Sequence, residues 1–74
     1  MSQLMRDKID YIVACVNEFA DAHGLNPVDG FDYLKRHAGI DFLDRHYAVE
    51  HAYPIEEALS DLSAVCIRNG GTLS

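Results

Sequence analysis

Residues 23–27 read His-Gly-Leu-Asn-Pro, and this stretch decides how the chain folds. Gly24 is placed to take the left-handed conformation that stops a helix. Two residues later, Asn26 can cap the free amide groups of a new helix. Pro27, at the first helical position, lacks the amide that would otherwise go unpaired.

Upstream of this joint, Met5, Ile9, Ile12, Val16, Phe19 and His23 recur at spacings of three and four. With Val13 and Ala20 widening the stripe, they predict a first helix over about 3–23. Asp7, Asp10, Glu18 and Asp21 fall largely off the stripe and are expected in water. Downstream, a second helix over about 27–38 should carry Val28, Phe31, Leu34 and Ala38 inward and stop at Gly39. Asp29 in its first turn, and Lys35, Arg36 and His37 in its last, suit the helix dipole. Gly30 inside it costs ~1 kcal/mol relative to alanine, which implies a close helix contact there.

A short third helix is expected over about 41–47, with Ile40, Leu43 and Tyr47 on its buried side and Phe42 and His46 beside them. Val49 to Tyr53 either continues it or forms an extended link, because Tyr53 precedes a proline and is pushed from helical angles. Pro54 opens a last helix over about 54–69, with Glu56 and Glu57 in its first turn and Gly70-Gly71 beyond its end. Its apolar stripe is Ile55, Leu59, Leu62, Val65 and Cys66. The fold class is therefore all-α: a compact bundle of four helices, two long and two short, in a single domain over 1–74. The long helices are expected to pack together, in a bundle-like or orthogonal arrangement.

Six basic and twelve acidic residues give a formal net charge of -6. Phosphate backbones and anionic membranes both demand clustered Lys and Arg, so no nucleic acid and no membrane is expected as a partner. The N-terminus has no apolar run resembling a signal peptide, and no stretch reaches membrane-span length, so the chain reads as cytoplasmic. Cys15 and Cys66 are then reduced, buried thiols rather than a disulfide.

No residue set assembles a catalytic or cofactor site. His46 and His51 are five apart, His23 and His37 end different helices, and Glu50 would need a third ligand, so no metal is expected. Neither cysteine sits at a helix N-terminus that would stabilise a thiolate. Glu57 and Asp61, one turn apart, read as a solvated face. Gly70-Gly71 follows a helix and so cannot cradle phosphate. Helices two and three would bring Asp41 and Asp44 into a DNA groove, which rules out a helix-turn-helix. The chain is not expected to be an enzyme.

The most distinctive stretch is Tyr47-Ala48-Val49-Glu50-His51-Ala52-Tyr53-Pro54. Tyrosine and histidine pair an apolar body with a polar tip, which suits protein interfaces. His46, Tyr47, His51 and Tyr53 are the candidate partner-binding residues. The competing reading buries Tyr47 and His51, with their polar atoms satisfied by backbone.

The run His23-Gly24-Leu25, Tyr33-Leu34, Gly39-Ile40-Asp41-Phe42-Leu43 and Tyr47-x-x-x-His51, with Asp61-Leu62 and Cys66-x-x-Asn69-Gly70-Gly71, resembles a group of small bacterial proteins of unknown function. Ala52 departs from that pattern, in which a hydroxyl residue is commoner. Members are often encoded beside proteins resembling ADP-ribosyltransferases of the diphtheria-toxin type. The resemblance thus implies a protein-binding or antitoxin-like role with such a partner, and no catalytic residues. The alternative is a homodimeric structural domain, for which Leu4, Leu25 and Leu73 are left near the surface.

Overall fold

The computed structural model describes residues 2–73; the two end positions of the expected 1–74 domain lie outside them. The described chain is all-helical. It has five helices: α1 Gln3–Ala22, α2 Pro27–Arg36, α3 Gly39–Arg45, α4 Tyr47–Glu50 and α5 Ile55–Arg68.

The first joint forms as its residues dictate. Ser2 caps α1 by accepting from the Met5 amide, and Gly24 takes φ 67° after the last turn. The Leu25 amide closes the turn onto the Ala20 carbonyl at 2.8 Å. Asn26 Oδ1 then accepts from the Asp29 amide at 2.9 Å, with Pro27 at the first helical position of α2.

The second joint differs from expectation. α2 ends at Arg36, and it is Ala38 that takes the left-handed conformation, at φ 67°, while Gly39 begins α3. Packing explains the exchange. A Cβ on Gly39 would lie 2.8 Å from Leu34 Cδ2 and 3.2 Å from Cys66 Sγ. The glycine lets α3 start against α2 and α5, and Ala38 carries the strained angle, at about 1–2 kcal/mol. The expected third helix over 41–47 becomes two pieces broken at His46. The uncertain segment 49–53 is helical to Glu50 and then turns, with the Tyr53 amide bonded to the Glu50 carbonyl. Pro54 caps α5 instead of opening it.

The core consists of Cys15, Val16 and Phe19 of α1, Tyr33 and Leu34 of α2, Leu43 of α3, and Ala58, Leu62 and Cys66 of α5. Both cysteines are free and buried. Leu25 and Leu73, expected near the surface, are half-buried, and Leu73 packs on the core. Two expected stripes are rotated. Val28 and Phe31 point outward, and so do Met5, Ile9 and Val13. Gly30 sets this rotation: its Cα approaches α1 so closely that an added Cβ would sit 2.7 Å from Ala20 Cβ. With Gly30 on the contact line, Tyr33 and Leu34 turn inward and Val28 and Phe31 flank the seam. Because α2 has only ten residues against twenty in α1, it leaves the N-terminal half of that side of α1 uncovered.

Candidate functional site

Each of the four histidines closes a helix. His23, His37, His46 and His51 each lie one turn after an aromatic residue. Their ring centroids are 4.4 Å from Phe19, 4.6 Å from Tyr33, 5.1 Å from Phe42 and 4.3 Å from Tyr47. Helical side chains lean towards the N-terminus, so an imidazole at i+4 lies over the ring at i. The pattern spreads the histidines over four helix ends. Among the described residues no three His, Cys, Asp or Glu side chains gather around a common point for a metal ion.

The predicted interface residues divide in two. Tyr47 is half-buried and meets Tyr11 edge-on at 5.6 Å, while His51, exposed rather than buried, stacks on it and lies 6.4 Å from Tyr11. His51 Nδ1 is bonded to the Tyr47 carbonyl. Lys8 lies over the Tyr47 ring and pairs with Asp44 at 2.9 Å, tying α1 to α3. His46 is exposed beside Phe42, and Tyr53 is exposed in the turn before α5.

Behind this aromatic group lies a polar cluster. Tyr11 has a buried hydroxyl with no hydrogen-bond partner of good geometry, although the Cys15 thiol lies beside it. Burial, the thiol and nearby carboxylates all raise its pKa. Glu50, on α4, is buried against α5, and Asp61 lines the same depression. Burial first, then Asp61 and Glu57, push the Glu50 carboxyl up to about 7. Burial also raises both cysteine thiols, which keeps them protonated and poor nucleophiles. In the sequence, Asp61 reads as part of a solvated face with Glu57, and Glu50 only as a carboxylate short of a metal-ligand set. Asp61 and Glu57 are indeed exposed; it is Glu50 that the packing of α4 on α5 buries. Tyr11 carried one available signal: it falls one turn before Cys15 on the buried side of α1.

A second surface has the opposite character. Ile12, Val13, Val16 and Asn17 of α1 face Pro27, Val28 and Phe31 of α2 across a groove of about 330 Å³ with no ionisable side chain in its lining. Leu4, Met5 and Ile9 extend it along α1, through Ile12. No helix among the described residues is long and apolar enough to cross a membrane.

No curated protein and no solved structure matches the chain. A family of proteins of unknown function, DUF3791, matches residues 10–69, which include every helix from the middle of α1 onward. The sequence resemblance to small proteins of unknown function agrees with this at that level. The chain belongs to the DUF3791 family.

Proposed function

We propose that the chain is a non-catalytic protein-binding module that docks a partner through the apolar face shared by α1 and α2. One observation carries the reading: Leu4, Met5, Ile9, Val13, Val28 and Phe31 are all large, apolar and exposed, and they line one continuous side. Contiguous apolar surface of this kind marks interaction sites, and a groove between two helices suits an amphipathic helix laid into it. The net charge of -6 favours a partner with a basic rim. An ADP-ribosyltransferase-like protein encoded nearby is the partner implied by the sequence resemblance, with an antitoxin-like role in a bacterial cytoplasm. The exposed His46 and Tyr53 offer an auxiliary contact, with Tyr47 and His51 holding their segment in shape.

The test is co-expression with the adjacent gene product and co-purification, using the wild-type chain and a Val13→Asp, Phe31→Asp variant. The wild type should co-purify, and the variant should lose at least about tenfold in affinity through desolvating two carboxylates. Failure of the wild type to co-purify, with the neighbour's activity unchanged, overturns the reading. Self-association is the second reading, favoured by the same uncharged groove. Sedimentation at micromolar concentration separates them: a monomer discards the homodimer, whereas a dimer dispersed by Val13→Asp supports it.

A further inference from the structure

On α3, α4 and α5 lies a different depression, a cleft of about 240 Å³ whose walls include Phe42, His46, Val49, Glu50, Asp61 and Arg68. Glu50 is only 7% exposed, yet no cation is paired with it; the ion pairs among the described residues join Lys8–Asp44, Arg36–Asp32 and Arg45–Asp41. A second carboxyl, Asp61, lines the same cleft, and it and Glu57 add negative charge near Glu50. Arg68 lines the same cleft two turns along α5 and pairs with neither carboxyl. Buried carboxylates are ordinarily paired or hydrogen-bonded to donors. Here no donor or cation among the described residues is paired with the Glu50 carboxyl, and its raised pKa favours the protonated form.

We propose that the cleft between α4 and α5 is a binding site for the guanidinium group of an arginine side chain presented by a peptide or protein. Two carboxyls lining one cleft match the forked N–H donors of guanidinium, and Phe42 supplies an aromatic wall beside them. Guanidinium is also more weakly hydrated than ammonium and enters a half-buried site at lower cost. As it binds, its N–H groups take the place of the proton on Glu50, which leaves to solvent. The site uses α3, α4 and α5, so it stands whether or not the α1–α2 face docks a partner.

Affinity should rise with pH, because the site must lose its proton. The charged and titratable groups around Glu50 are Tyr11 and Cys15 from α1, His46 ahead of α4, and Glu57, Asp61 and Arg68 from α5. The experiment is a backbone-amide NMR titration of the full chain with Nα-acetyl-arginine methylamide at pH 6 and pH 8. Saturable shifts are expected at Phe42, His46, Glu50 and Asp61. Binding should be roughly tenfold tighter at pH 8, with that ratio kept in His46→Gln. Glu50→Gln and Asp61→Asn should each weaken it roughly tenfold, and Asp61 is exposed, so its variant keeps the fold. Absence of saturable shifts, equal binding by the lysine analogue, loss of the pH ratio in His46→Gln, or indifference to both carboxyl variants would each overturn the proposal.

Discussion

Two tyrosines on neighbouring helices reach the interior and meet opposite conditions there. Tyr33 stacks on Phe19, and its hydroxyl accepts from the Leu73 amide at 3.0 Å and donates to the Leu73 carbonyl at 3.5 Å. It clamps the segment after α5 onto the core. Tyr11 sits edge-on to Tyr47, and its buried hydroxyl finds no partner; a thiol and two carboxyls occupy its neighbourhood. The same side chain closes one region and leaves the other electrically unfinished. Native structures leave few buried polar groups unpaired, so the Tyr11–Glu50–Asp61 region is where a ligand or proton has something to complete.

The clamp can be broken at Gly71. Its φ is not left-handed; it is needed for space, because an added Cβ would collide with Tyr33 Oη and lie 2.8 Å from the Cys66 carbonyl oxygen. Gly71→Ala should therefore destabilise the domain by about 2 kcal/mol through overpacking. For a domain of this size the melting temperature should fall by roughly 10 °C, with faster hydrogen exchange at the Leu73 amide. An unaltered melting temperature together with a protected Leu73 amide would show that the clamp yields without cost.

The unfinished region should reveal itself through pH. The folded Glu50 carboxyl titrates at about 7 against an ordinary value of 4.5, so the folded state holds a proton that the unfolded chain releases earlier. That contribution is fully present below pH 4.5 and is lost as pH rises through 7. Glu50→Gln should remove this loss, leaving the variant more stable than the wild type at pH 8 by on the order of 1–2 kcal/mol after allowance for solvent at the cleft mouth. Urea unfolding of both proteins at pH 5 and pH 8 measures it. Parallel behaviour at the two pH values would mean that Glu50 has an ordinary carboxylate environment.

This contrast follows the line between what the sequence made legible and what it concealed. The stop at Gly24, the start at Asn26-Pro27 and the end of α5 before Gly70 are local events, written by residues that act on their own backbone. Helix rotation is not local. It is set by the Gly30–Ala20 and Gly39–Leu34 approaches, and these turned Val28, Phe31, Met5, Ile9 and Val13 outward despite their apolar spacing. Gly30 did announce a close contact, but not which neighbours would be displaced by it. Of the α1–α2 face, only Leu4 was legible as an exposed apolar residue. Glu50 is hidden from sequence reasoning altogether, since nothing in Tyr-Ala-Val-Glu says that α4 will press its carboxyl onto α5.

The smallest expected effect tests the comparison most directly. Tyr33→Phe keeps the stacked ring and deletes the hydroxyl, leaving the Leu73 amide without its acceptor; it should cost about 1 kcal/mol. Tyr11→Phe deletes a hydroxyl that is buried but unbonded, so removing it relieves a desolvation cost and loses no hydrogen bond. It should be neutral or stabilising by up to about 1 kcal/mol. The two substitutions are chemically identical, which cancels most differences in the unfolded chain. Their urea midpoints, compared at equal slope, should therefore move in opposite directions or separate by about 1 kcal/mol. Equal destabilisation by both would mean that Tyr11 is as well satisfied as Tyr33, by a bound water or by the Cys15 thiol. The case for an unfinished region would then rest on the Glu50–Asp61 pair alone.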